Sequence, residues 1–321
     1  LLPATLMRSF ERGAAWIGRK RAKSKGGRHS GLLPPGFSAE HLGPNDYYYW
    51  DDFWGIAGLK AIAAMYERRS DLTRAAHYTN HANAFWFDVR NSLSALPKSV
   101  AAAGLPASPY RRMDAGAIGS LVADYPLHLD EVGPRNFMHT ADWLWNNCRH
   151  DGGFFQDIIH SGLNAYLTLA LAQTFLRQGD PRYLGLIESV AAHASPTGHW
   201  PEAIHPRTGG GCMGDGQHAW AAAEWVLMMR ALFVREEAEH LVVGAGVLGA
   251  WFEKSERFSY GPTATAWGQI TVIFQRRDGT WFVKISGAWI GQPPRIRIET
   301  PGFESVWAQP VKWETPLVPK R

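Results

Sequence analysis

The sequence predicts a mainly α protein. Its helical hairpins pack side by side toward an (α/α) toroid, and a small antiparallel β domain follows. Three observations carry this expectation. Apolar residues recur at helical spacing up to about residue 238. Short and long connections alternate between the helical stretches, as in repeated helical hairpins. After about residue 250 the apolar period shortens to two.

The helical stretches expected are roughly 3–20, 52–68, 71–94, 114–123, 135–148, 158–178, 181–194 and 216–235. In the first, Leu6, Phe10, Ala14 and Ile17 fall at helical spacing. "RRSD" (Arg68 to Asp71) and "RQGDPR" (Arg177 to Arg182) read as short turns, each with an Asp able to cap the next helix. The longer connections, about 21–51, 95–113 and 195–215, hold the unusual residues, and irregular loops on a rigid scaffold are where function concentrates. Farther on, Gly268 to Trp289 alternates apolar and polar residues around Asp278-Gly279, a hairpin turn pair, and Pro294 to Phe303 alternates too. The expected organisation is a helical domain over 1–250 and a small, sandwich-like β domain over 251–321. The chain begins at Leu1, almost inside a helical pattern and without a signal-type segment, so an N-terminal portion is expected to precede it, and no compartment is assigned.

Composition narrows the function. The chain of 321 residues is 45% hydrophobic and 19% charged, enough apolar content for a sizeable core. No run of roughly 18 apolar residues is present, so no membrane span is expected. Net charge is +4, but the basic cluster from Arg19 to Arg28 has Gly and Ser and no interleaved aromatics, which reads as a solvated loop and not a nucleic-acid patch. Cys148 and Cys212 form no CxxC pair, so neither a disulfide framework nor a cysteine-based metal site is expected. The outlying feature is aromatic, with 15 Trp, 15 Phe and 10 Tyr.

Four segments carry candidate chemistry. "NDYYYWDDFW" (Asn45 to Trp54) crowds rings and carboxylates together. Rings stack on the apolar faces of sugars, and ionised carboxylates accept charge-assisted hydrogen bonds from hydroxyls. Tyr48, Trp50, Asp51 and Trp54 are therefore candidate sugar-binding residues, with helix capping by Asp51 and Asp52 as the bland alternative. In "YRRMDAGAIGS", Asp114 opens a small-residue helix, as a helix abutting a ligand would, or as a plain N-cap would. "GHWPEAIHPRTGGGCMGDGQHAW" places Glu202 in a loop near His205, with His218 at a helix start. The three histidines 199, 205 and 218 fit no zinc spacing, and the glycine run lacks the phosphate-loop pattern, so no metal or other cofactor is expected. In "DGGFFQDIIHSGLNAYL", Gln156, His160 and Asn164 are four apart and would share one helical face.

Acetal hydrolysis needs one carboxylic acid to protonate the leaving oxygen and one carboxylate to activate water; Asp114 and Glu202 are the candidates, and a gap of roughly 6.5–9.5 Å between them would give inversion. At these residues the sequence resembles the six-hairpin (α/α toroid) glycosidases, nearest the branch of trehalases and processing α-glucosidases. "YYYWDDFW" is similar to the segment whose Trp-Asp pair grips the sugar at the cleaved end, which implies that role for Trp50 and Asp51. "WPEAIHPRTGGG" is similar to the segment carrying the general base, implying Glu202. "SGLNAYLTLALA" resembles the segment placing an Asn near the cleft, implying Asn164. Trp220 falls where such proteins carry a helix-borne Trp. The family's general acid follows a Gly-Trp pair, which "RRMDAGAIGS" lacks; Asp114 is the positional match. The resemblance covers about residues 30–235 and implies about four of six hairpins in this chain. The expected partner is a carbohydrate substrate. A polysaccharide lyase on a similar toroid and a non-catalytic carbohydrate-binding protein remain as alternatives.

Overall fold

A computed structural model describes residues 3–24, 26–37, 43–158, 161–308 and 314–320. Helix occupies 44% and strand 20% of the chain, so the protein is mixed and not mainly α as expected. It divides into two compact units: Leu1–Thr174 with Gly185–His218, and Phe175–Leu184 with Ala219–Arg321. The expected boundary near residue 250 lies inside the second unit.

The first unit opens with α1 (Ala4–Arg21), α2 (Tyr49–Glu67) and α3 (Leu72–Ser94). Helices α2 and α3 form a hairpin through the Arg68–Asp71 turn. Asp71 caps α3 as expected, accepting a hydrogen bond from the Arg74 amide at 3.1 Å. Phe53, Ile56, Leu59 and Tyr66 of α2 and Phe85 and Val89 of α3 are buried, a face set by their helical spacing. Gly55 permits close approach of the pair, because a Cβ there would stand 2.8 Å from the Phe85 ring.

Further along lie α4 (Lys98–Ala103), a 3-10 helix over Ala115–Ala123, and α5 (Pro134–Asn147). The helix expected over 114–123 is thus 3-10 in geometry, and all nine of its residues are buried. The unit also holds a five-stranded antiparallel sheet that helical periodicity did not predict: β1 (Arg149–His150), β2 (Gly153–Gln156), β3 (Gly162–Leu163), β4 (Ala203–Ile204) and β5 (Gly211–Met213), in that order. Strand pairing takes the start of the helix expected over 158–178. Gln156 pairs with Gly162 and Leu163 with Ile204, so α6 (Ala165–Arg177) begins only after Asn164, whose carbonyl accepts from the Thr168 amide at 2.9 Å. A Cβ on Gly162 would stand 2.9 Å from the Ala203 Cβ, so only glycine fits this crossing. α7 (Tyr183–Ala192) completes the helices that return to this unit.

The second unit contains α8 (Ala219–Phe233), β6 (Val234–Glu236), β7 (His240–Val243), α9 (Gly249–Lys254), β8 (Arg257–Thr265), β9 (Gly268–Arg277), β10 (Thr280–Trp289), β11 (Arg295–Ile298), β12 (Val306–Trp307) and β13 (Glu314–Pro316). One sheet runs β13-β10-β9-β8 and is antiparallel; the other runs β12-β11-β7-β6. In the second sheet β11 and β7 are parallel, a departure from the expected all-antiparallel domain. The expected β9–β10 hairpin is present, with Asp278 and Gly279 both at positive φ (48° and 78°), the conformation such a two-residue turn needs. Both sheets contribute to one core, in which Val243 and Ile296 join Phe274, Val283 and Trp281. Strands β6 and β7 draw residues 234–243 into this unit. Among the described residues, no helix is long and apolar enough to cross a membrane, and no group of His, Cys, Asp and Glu side chains could hold a metal ion.

Candidate functional site

The N-terminal turn of α2 presents two faces. Tyr48, its N-cap residue, and Tyr49 turn inward and are 2% and 0% exposed. Trp50, Asp51 and Trp54 line a cleft of about 560 Å³ together with Trp16, Lys20 and the segment 33–37. The Trp50 and Trp54 rings meet edge to face at 5.8 Å, and Lys20 stands 5.3 Å from the Trp16 ring centre. Trp16, Phe37 and Trp54 remain 49%, 57% and 41% exposed, an unusual outlay of large rings at a surface. Within this setting burial pushes the Asp51 carboxyl up to about 6.

The wall opposite α2 is pinned at three points. The Arg21 Nε donates to the Gly31 carbonyl at 2.8 Å, while its Nη2 pairs with Asp88 at 2.7 Å. The Leu33 amide donates to Asp52 Oδ1 at 2.9 Å. Gly36 and Asp46 exchange backbone hydrogen bonds at 3.0 and 3.1 Å. Gly31 has φ 84°, and a Cβ there would stand 2.0 Å from Asp88, so both conformation and space demand glycine.

Three of the four sugar-binding residues expected on this segment therefore share the cleft. Tyr48 does not: its hydroxyl donates to the Pro44 carbonyl and receives Arg111 Nη1 at 3.4 Å, a buried structural post. Arg111 joins this post to Asp114. Its Nε and Nη2 reach Asp114 Oδ2 at 3.1 and 2.6 Å, and Asp114 Oδ1 accepts from the Gly116 amide at 2.9 Å. Asp114 is thus an N-cap with both oxygens engaged.

The five-stranded sheet gathers the remaining candidates. Gln156 ends β2, Asn164 follows β3, Glu202 precedes β4 and His205 follows it. Gln156 and Asn164 do not share a helical face, because pairing of β2 with β3 replaces the expected helix there. Both are fully buried, and among the described residues the two amide atoms of Gln156 and Oδ1 of Asn164 have no hydrogen-bond partner. His160 lies outside the described residues. Glu202 is half-buried, and its backbone is closely covered by Gly214, where a Cβ would stand 3.2 Å away and φ is 76°. His205 accepts from the Arg207 amide at 3.2 Å and closes a tight loop. His218 lies 5.0 Å from the Tyr166 ring; burial holds its imidazole below the usual value, against the upward pull of Glu202 and Asp215. Trp220 belongs to α8 in the second unit, where its Nε1 donates to Glu224 at 3.2 Å.

Sequence reasoning left out several residues that the geometry brings forward. Asp52 and Arg21 hold the cleft wall, and Trp16 and Phe37 widen its aromatic lining. Asp157, beside Gln156, lies within electrostatic reach of Cys148, as does Asp114. Burial and then these two carboxylates push the Cys148 thiol up to about 12. The Asp114 cap and the end of β2 are therefore neighbours. The sequence signal for Trp16 and Phe37 was only their ring type, since neither stands in the dense aromatic segment. No protein-family model matches the chain, and no curated protein matches it.

Proposed function

We propose that the chain is a glycoside hydrolase of the six-hairpin toroid type, acting on an oligosaccharide or glucoside-type substrate with inversion. The observation that carries this reading is the aromatic cleft lined by exposed indole and phenyl rings together with the Asp51 carboxyl. Rings supply stacking faces for sugar C–H groups, and the carboxyl accepts hydroxyl hydrogen bonds once ionised.

In this reading an acid protonates the glycosidic oxygen as its bond to the anomeric carbon breaks. A carboxylate removes a proton from the water that attacks that carbon from the opposite face. Glu202 is the base and Asp114 the acid by position in their motifs. Gln156 and Asn164 carry buried amide atoms without partners among the described residues, which suits hydroxyl or water recognition. Asp51 is the second candidate for the acid, because its carboxyl, raised to about 6, still holds a proton in mildly acidic solution where Asp114 is tied to Arg111. The same tie disfavours a lyase, since a guanidinium committed to Asp114 is not offered to a uronate carboxylate.

Proton NMR of freshly released sugar tests the reading. Inversion at the anomeric carbon supports it, retention removes the inverting mechanism, and an unsaturated product transfers the chain to the lyases.

A further inference from the structure

Asp52 has no role in the chemistry above, yet its surroundings are singular. It is 1% exposed, its Oδ1 accepts from the Leu33 amide at 2.9 Å, and its Oδ2 has no hydrogen-bond partner among the described residues. Leu33 begins the wall of the aromatic cleft, and Asp51, the neighbour of Asp52 in sequence, lies in that cleft.

We propose that Asp52 is a positioning residue, a buried carboxyl that ties the 33–37 wall to α2 and thereby sets the width of the cleft in front of Asp51. Consecutive residues of a helix point about 100° apart, so Asp51 and Asp52 in the first turn of α2 meet different surroundings. Asp51 meets the cleft, and Asp52 meets the back of its wall. The charges facing Asp52 do not compensate its burial. Arg21 of α1 is of opposite sign but is itself held by Asp88 of α3, and Asp51 of the same helix is of like sign. The segment 31–37 offers only the Leu33 amide, and the Tyr49 hydroxyl is engaged with Ser92 at 2.7 Å. Burial pushes the Asp52 carboxyl well above its ordinary range; Asp51 adds to the shift, while the Leu33 amide and Arg21 oppose it. An amide of the same shape keeps the acceptor without a charge, and this separates the present role from that of a charge.

The proposal rests on the reading of the cleft as a sugar site only for its functional consequence. Its test has one arm that needs no ligand. Asp52→Asn keeps an acceptor for the Leu33 amide. Asp52→Leu keeps the shape without it, and Asp52→Ser cannot span the distance and serves if the leucine variant does not fold. Hydrogen exchange would be followed at the Leu33 amide and across peptides covering 31–37 and 50–54, with maltotriose affinity measured by titration calorimetry on the same samples. The expected result is that Asp52→Asn retains Leu33 protection and affinity within roughly twofold. The leucine and serine variants should lose roughly tenfold in both. Unchanged Leu33 protection in the leucine and serine variants would overturn the proposal, and so would an asparagine variant as impaired as they are. If the parent binds no maltotriose, the sugar reading loses support while the exchange arm still decides the role of Asp52.

Discussion

Arg111 grips Asp114 Oδ2 with two nitrogens, at 3.1 and 2.6 Å, while the Gly116 amide occupies Oδ1 at 2.9 Å. The carboxylate thus serves the fold at the start of the buried 3-10 helix, whatever it does in chemistry. Asp114→Ala removes the cap and the charge partner together and should lower unfolding stability by about 2 kcal/mol in urea denaturation. Asp114→Asn keeps a capping oxygen and should cost about half as much. Loss of hydrolysis in the asparagine variant, at near-parent stability, would place Asp114 in the reaction; retained hydrolysis would move the acid role to Asp51.

Asp51 makes a prediction with a definite sign. Its folded-state value of about 6 stands above the ordinary 3.8. The folded protein therefore binds this proton more tightly than the unfolded chain does. The resulting stabilisation is fully present below about pH 4 and is lost as pH rises through about 6. Melting temperature measured across that window should fall less for Asp51→Asn than for the parent. Identical pH dependence of the two proteins would mean that Asp51 is not desolvated. Sugar affinity should move the other way, rising as Asp51 ionises and becomes an acceptor.

Trp54 is exposed enough to be removed without opening the core. Trp54→Ala should leave unfolding stability within about 0.5 kcal/mol while weakening oligosaccharide binding about tenfold. Calorimetric titration separates the two effects. A large stability loss with unchanged binding would make this ring a packing element.

The glycine at the crossing of β3 and β4 is a structural requirement. Gly162→Ala would press a methyl against Ala203 at 2.9 Å and the Ile204 carbonyl at 3.1 Å. A loss of about 1–3 kcal/mol is expected in denaturant titration. A neutral effect would mean that β3 shifts easily against β4.

Helices were legible where long apolar periods met a capping residue, as at Asp71, and the hairpin at Asp278-Gly279 was legible from its turn chemistry. The five-stranded sheet was not, because strands as short as Gly162–Leu163 have no period of their own, and Ala165 onward lends them a helical context. Strands β6 and β7 were hidden likewise, since Glu236, Glu237, Ala238 and Glu239 continue the helix-favouring composition of α8. In the cleft, Trp50, Asp51 and Trp54 were legible from density alone. Tyr48 was misplaced because density does not say which face a ring takes. Asp52 looked like a second cap, and its role emerges only from Leu33, nineteen residues upstream.

Glu202 carries the central claim, since the proposed reaction has no other base. The most direct measurement is sugar release from a mixed oligosaccharide panel by the parent chain beside Glu202→Gln. Release by the parent and a loss on the order of a thousandfold or more in the variant are expected, with unchanged calorimetric binding of the active substrate. Equal release by the two proteins would contradict the claim.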